Sequence, residues 1–528
     1  MTQGDPLGMM FYGVGMLPLT RKLKKGSDFL NQQKQMCDHD TNFDWNQNWY
    51  ADDSACASIL KEIVLWLKLL IAEGPKYGYH PEPDKSYLIV HPDWVEEANK
   101  LFCEFKVNVV TGHRFLGGFV GGVEDTEKWI HEKVQVWSKA IQTLSKAAQS
   151  QPHLAYVSFT KSLQNEWSYI QRVVANVEKP FSLLKAIIVN DFLPSLFGND
   201  LDNMEASIIM MSTHNGGLGI RDPVSTAETS FQSSHEGTLI LSQTITLGGP
   251  FDMDKHEIQM KAVKNAFNAQ HDQIEVAKAD ILIQTLPPSR QRTINRVRKG
   301  DCSTWLSMIP TQDNQFYMNA YEFRDSIALR YGRSPINMQG FCDGCSQPFD
   351  ISHALDCKMG GLIGARHNES RDLNIDLINL SGLTQTVKEP VLKEPNQDGN
   401  NGLRVDWGVR GFWEFQREAL FDIRILNADA PSYLTKDLVF LFNAARDEKK
   451  AKYNDAAEAR RATFTPVIAT CDGIFDHEAI AYMKRLSTLL SSKWNQNYSQ
   501  VHGWLKARMQ VCILRSVSLC IRVSRTRF

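Results

Sequence analysis

The chain has 528 residues, 43% of them apolar and 22% charged, with a formal net charge of −2. That length suits two to four domains of ordinary globular composition. The near-neutral balance excludes a surface that attracts polyanions or membranes everywhere, so any basic patch is local. Ten cysteines are too sparse for a disulfide scaffold. Three of them, Cys342, Cys345 and Cys357, cluster, which points to a metal in a reducing compartment.

The start, MTQGDPLG, lacks a basic region followed by an apolar one, so no signal peptide is expected and an intracellular location follows, nuclear or cytoplasmic. Asp5-Pro6 reads as an N-cap with proline at the first helical position. Leu7, Phe11, Val14 and Leu17 then repeat at helical spacing, predicting a packed helix over 5–25. A packed helix with nothing before it suggests a fragment. Residues 26–47 are polar and read as a loop.

NWYADDSA, residues 48–55, follows as a short strand and a turn at Asp52-Asp53. Adjacent carboxylates repel unless solvent or a cation absorbs the charge. A helix over 58–72 is too short and too charged to span a bilayer, and no membrane association is expected. SYLIV (86–90) and FKVNVV (105–110) read as strands, and HRFLGGFVGG (113–122) as a glycine-rich hairpin or turn. Residues 125–200 read as mostly helical, with Trp129, Val134, Trp137, Ile141 and Leu144 on one stripe. After a break at 215–223, a second helical region ends in SRQRTINRVRKG (289–300). This basic run reads either as a solvated helix face or as a phosphate-backbone contact. The last 26 residues are also basic.

CDGCSQPFDISHALDC, residues 342–357, has the pattern C-x2-C-x7-H-x3-C. The first pair can converge around Gly344. His353 and Cys357 share one face of a helical turn. Cys342, Cys345, His353 and Cys357 suit tetrahedral zinc in a closed structural knuckle, with no position left for substrate.

Beyond it, Asp406 lies in a strand whose Leu403, Val405, Trp407 and Val409 share the other face. Asp422 and Arg424 point away from Phe421, Ile423 and Ile425 in a second strand. A hairpin of the two could place both carboxylates at one divalent cation. The alternative is salt bridging with Arg404, Arg410 or Arg424. On the following helix Lys449 and Tyr453 share a face, with Lys450 and Lys452 close by. Carboxylates holding Mg²⁺ and a lysine orienting a nucleophile is the logic of a metal-dependent nuclease.

In order, TQGDPLG (2–8), WYADD (49–53), GPKYGYHPEPDKSYLIV (74–90) and HRFLGGFVG (113–121) resemble blocks of reverse transcriptases from non-LTR, LINE-like retrotransposons. The knuckle, then RHN (366–368), Asp406, Asp422 and KKAKY (449–453), resembles the C-terminal half of a subset of those elements, which carries a restriction-like endonuclease of the PD-(D/E)xK type. The resemblance implies an α+β multidomain chain: a partial reverse-transcriptase palm over 1–122, an α-helical thumb over 123–225, a helical linker over 226–335, a CCHC zinc knuckle over 336–362 and an α/β restriction-like nuclease over 363–528.

It further implies that Gln3 and Gly4 line a nucleotide and template pocket. Asp52 and Asp53 would sit on the palm hairpin, with Asp52 the metal ligand, and Lys85 near the leaving pyrophosphate. Phe115 to Gly118 would form a primer grip. Asp406 and Asp422 would hold metal, with Lys449 the catalytic lysine and Glu369 or Glu414 an additional acid. The implied cofactors are Mg²⁺ in palm and nuclease and Zn²⁺ in the knuckle. The implied partners are element RNA and target DNA. The family's remaining palm aspartate precedes the QGDP block and is not in this chain, so a dNTP would bind only if that part were supplied. Two departures stand in the nuclease: Val405 where the pattern has proline, and Arg424 where many such enzymes have lysine.

Overall fold

The computed structural model describes residues 7–35, 45–394 and 402–526. Gln3, Gly4 and the Asp5-Pro6 cap lie outside them. The chain divides into two compact units. One comprises Met1–Gln135, Ser168–Phe181 and Val224–Ala269, the other Val136–Trp167, Ser182–Pro223 and Gln270–Phe528. Both are mixed in secondary structure, with long helices and small sheets.

In the first unit an N-terminal helix runs Gly8–Gln35, well past the expected end, so the first part of the presumed polar loop is helical. Its buried face also differs from the expected one. Met16, Leu19 and Leu23 are buried, whereas Leu7, Phe11, Val14 and Leu17 are 43–59% exposed. The buried triplet shares a core with Trp66, Leu67 and Leu70 of the helix Leu60–Glu73, and with Leu88, Ala98 and Phe102.

Strands β1 (Asn46–Tyr50) and β2 (Asp53–Ala57) form a hairpin with Tyr50 opposite Asp53. Its two-residue turn is Ala51-Asp52, with Ala51 at φ 55°, the left-handed geometry that tight hairpins demand. The turn is thus one residue earlier than expected, and Asp53 begins the return strand. β3 (Tyr87–Ile89) and β4 (Asn108–Val110) pair in parallel through the helix Val95–Phe102. β5 (Gly112–Phe115) and β6 (Gly118–Gly121) form the glycine-rich hairpin. A Cβ on Gly121 would sit 2.6 Å from the Gly112 Cα, so this ribbon closes only because both positions lack side chains.

In the second unit, β7 (Thr386–Lys388), β10 (Trp407–Arg410), β11 (Glu418–Leu426) and β12 (Thr463–Thr470) make a four-stranded sheet in the order β12-β11-β10-β7. A separate ribbon pairs β8 (Val391–Lys393) with β9 (Leu403–Arg404). β10 is antiparallel to β7 and β11, whereas β11 and β12 are parallel. Parallel neighbours need a crossover, and the helix Leu438–Ala459 supplies it. On the core side Trp407 stacks on Phe421 at 5.4 Å, and Tyr482 of the helix His477–Trp494 packs edge-on against both. The final helix, Tyr498–Arg522, is buried on nearly every side, its Lys506, Arg508 and Gln510 included.

The basic run is not a uniformly solvated face: four of its five cations have partners within the fold. The helix Pro288–Lys299 buries Arg296, whose guanidinium meets Asp429 at 2.7 and 2.5 Å and Asp472 at 2.7 Å. Arg292 donates to the carbonyls of Leu434, Ala428 and Tyr433, Arg298 pairs with Asp280, and Arg290 with Glu205. The basic C-terminal stretch is used the same way: Lys506 pairs with Asp301, Arg515 with Glu322 and Arg522 with Asp325. These cations serve the interior because acids distant in sequence are folded onto them. Among the described residues one helical stretch, Glu178–Phe197, is long and apolar enough to cross a membrane by length and composition, and 44% of its 18-residue apolar window is buried.

Candidate metal centres

The knuckle is built by a turn and a one-and-a-half-turn helix. Cys342 N–H donates to the Gln347 carbonyl and Ser346 N–H to the Cys342 carbonyl, both at 2.8 Å. This curls the Cys342–Cys345 loop back on itself, with Ser346 at φ 59°. Asp350 caps the helix Ile351–Asp356 by accepting the His353 N–H at 2.7 Å, and Cys357 follows as its C-cap. The ligand atoms of Cys342, Cys345, His353 and Cys357 all lie within 4.8 Å of one another. Sγ of Cys345 is 3.3 Å from His353 Nε2 and 3.9 Å from Cys357 Sγ, which is 4.0 Å from Cys342 Sγ. Four converging soft and borderline donors can hold a metal such as zinc. Burial opposes ionisation of Cys342. The His353 ring and the Gly344 and Cys345 amides outweigh it and bring that thiol down to about 6, ready to bind as thiolate.

The second centre sits where β10 meets β11. Asp406 immediately precedes β10; its N–H donates to the Phe421 carbonyl at 3.0 Å, and its Oδ2 accepts the Ile423 N–H at 2.6 Å. Its Oδ1 lies 2.8 Å from His367 Nε2, which comes from the helix Leu362–Leu380. Asp422, on the strand face opposite Phe421 and Ile423, is 4% exposed. It is met by Lys449 and Tyr453 of the crossover helix, one turn apart and therefore on one face. Burial first, and then the Asp406 carboxylate, push the Asp422 carboxyl upward against the pull of Lys449 and Tyr453. Burial and Asp422 likewise raise Tyr453.

The three candidate lysines separate. Lys449 pairs with Asp422, Lys450 with Glu478, and Lys452 lies over the Tyr453 ring at 4.7 Å. Arg424 turns to Glu448 at 2.5 Å rather than to either aspartate. Neither candidate additional acid joins the pair. Glu369 lies among Arg515, Glu322 and Cys512, and Glu414 is an exposed partner of Arg417. His367 and Tyr453 were the residues to which sequence reasoning gave no role. Both stood inside quoted motifs, and helical spacing from Lys449 already put Tyr453 on the right face.

In the first unit Asp52 and Asp53 are exposed, and among the described residues neither forms a salt bridge. Tyr79 Oη donates to the Asp52 carbonyl at 3.1 Å and lies 2.8 Å from Ser54 Oγ, anchoring the hairpin from behind. Lys85, in the short turn Pro83–Lys85, pairs with Glu82 and is not brought to the aspartates. Phe115, Leu116, Gly117 and Gly118 form the tip of the β5–β6 hairpin, where the Tyr169 hydroxyl donates to the Leu116 carbonyl at 2.6 Å.

Asp406, in the bend before β10, and Asp422, on β11, bring two buried carboxylates into one electrostatically coupled cluster. Soft donors at the knuckle fit a borderline metal ion. Comparison with known proteins adds no name to this pair of centres: no protein-family model matches the chain, and no curated protein shows significant similarity to it.

Proposed function

We propose that the second unit carries a Mg²⁺-dependent DNA-nicking centre beside a zinc-stapled knuckle, in a protein of the non-LTR retrotransposon reverse transcriptase and endonuclease type. One observation carries the reading: Asp406, in the bend entering β10, is bonded to the Ile423 amide beside Asp422 on β11, and the crossover helix brings Lys449 to Asp422. Mg²⁺ held by the two carboxylates would supply Lewis acidity toward a phosphate oxygen and an acidified water. The chain's own groups do the rest. His367 and the Ile423 amide fix the two oxygens of Asp406. Tyr453 and Lys449 orient Asp422, and Lys449 brings a positive charge to where phosphate charge would lie. In the first unit this reading gives Asp52 and Asp53 the exposed end of a polymerase hairpin.

A nicking assay on supercoiled plasmid with the full chain tests the reading. Cleavage requiring Mg²⁺ and lost by at least about 100-fold in Asp406→Asn and in Asp422→Asn is expected. Nicking that survives both substitutions together would sink it.

A second reading has its own support. Asp406 and Asp422 already have internal partners for their charge, as a purely structural ionic network would. On that reading the chain is a non-enzymatic nucleic-acid-binding remnant. It would bind DNA or RNA without cleaving either, and Asp422→Asn would leave that binding unaltered.

A further inference from the structure

Arg525 is a buried cation that no carboxylate among the described residues meets side chain to side chain, although its charge is felt by Asp343, whose carboxyl it helps the Ser524 hydroxyl to hold low. Arg525 is 2% exposed. Its Nη2 donates to the carbonyls of Ala354 at 2.9 Å and Cys520 at 2.5 Å. Its Nε and Nη1 have no hydrogen-bond partner, and among the described residues no carboxylate pairs with it. Asp343, the nearest acid by contact, accepts the Arg525 backbone N–H at 2.9 Å and the Ser524 hydroxyl at 2.5 Å instead. A buried guanidinium with no carboxylate hydrogen-bonded to it is unfavourable.

What surrounds it is the knuckle. The guanidinium lies over the Phe349 ring at 4.8 Å, and Phe349 meets the His353 ring edge-on at 5.9 Å. Ala354, whose carbonyl it binds, follows His353. Gly344, inside the Cys342–Cys345 turn, approaches so closely that a Cβ there would stand 2.8 Å from the Arg525 Cβ. At Gly360, φ +71°, it would stand 2.6 Å from the Arg525 Cα. The chain segment carrying Arg525 is therefore seated against the metal-binding turn, and both glycines are required for it to sit there.

We propose that Arg525 is the built-in counter-ion of the metal-loaded knuckle. A divalent zinc with three thiolates and a neutral imidazole bears one net negative charge. Arg525 supplies one positive charge in the same low-dielectric surroundings. Its Nε and Nη1 are the two N–H groups left without a hydrogen-bond partner. Groups of this kind around a metal site set its affinity by about 10- to 100-fold.

The test uses the full chain and zinc alone, measuring release to a colorimetric chelator. Wild type should hold one zinc per chain. Arg525→Met should release it at about 10- to 100-fold lower chelator concentration, and Arg525→Lys, which keeps the charge but loses the fork, should fall between. The discriminating arm changes the site's charge. In Cys345→His the loaded site is neutral, so adding Arg525→Met should cost no further affinity. Wild type without zinc, or the same loss from Arg525→Met in both backgrounds, would overturn the proposal and leave Arg525 a packing residue. If Arg525→Met does not fold, Arg525→Lys compared in the two backgrounds decides on the same criterion.

Discussion

Replacing Lys449 by methionine keeps the volume and removes the charge opposite Asp422. In the pair Asp422 is 5% and Lys449 17% exposed in their side chains, so the change leaves an almost fully buried carboxylate beside a second one, Asp406. Breaking a buried pair by removing one partner costs ~3–5 kcal/mol. Tyr453 still donates to Asp422, and Lys449 was partly hydrated, which puts the cost near the lower figure, ~3 kcal/mol. For a unit of more than 300 residues that is a drop of roughly 4 °C in the melting temperature, at ~2.1 cal/mol/K of unfolding entropy per residue. The pH dependence fixes the cause. Asp422 titrates higher in the folded chain than in the unfolded one, so the folded state holds the extra proton and stability falls as pH rises through that interval. Without Lys449 the folded value rises further. The gap between wild type and Lys449→Met should be small near pH 4 and widen toward pH 8. Urea unfolding followed by tryptophan fluorescence at several pH values measures it. A gap that is constant with pH, or that grows toward acid, would refute the charge argument. Added Mg²⁺ should narrow the gap: removing Lys449 leaves the carboxylates more negative, so the variant binds the cation more tightly and gains more from RT ln(1 + [L]/Kd).

Arg296→Met leaves Asp472 without its cation, while Asp429 keeps Arg292, and should destabilise the chain by about 3 kcal/mol in chemical unfolding. It should leave DNA affinity unchanged; weakened binding at unaltered stability would show that the basic helix faces nucleic acid after all. Cys357→Ser should abolish zinc retention and make the melting temperature indifferent to chelator, whereas wild type should melt lower when chelated. Asp52→Ala with Asp53→Ala removes two exposed side chains and should shift stability by no more than about 0.5 kcal/mol. A larger loss in calorimetry would mean that the hairpin carboxylates have partners in the fold.

What could be read from the sequence follows from how local each signal is. The knuckle is complete within sixteen consecutive residues, and its spacing alone brings the four ligands together. The strand faces of Asp422 and Arg424 and the helix face of Lys449 and Tyr453 follow from side-chain periods of 2 and 3.6. The N-terminal helix defeated the same reasoning because it carries two apolar stripes. Leu7, Phe11, Val14 and Leu17 repeat as well as Met16, Leu19 and Leu23 do, and only the position of Trp66 and Leu70 decides between them. The arginines of 289–300 looked unpaired because their acids lie 133 and 176 residues away in the case of Arg296. His367 is likewise 39 residues from Asp406, and no window on the sequence connects them.

The seat of Arg525 has a consequence in time. Arg525 follows Ala354 by 171 residues. At a synthesis rate of about 5–20 residues per second, roughly 9 to 34 s pass between the two leaving the ribosome. The fourth ligand, Cys357, follows Ala354 by three residues, so the ligand set is complete near the start of that interval and its proposed counter-ion arrives only at the end. On the proposed role of Arg525, a nascent knuckle would hold zinc less tightly until the segment carrying Arg525 is seated.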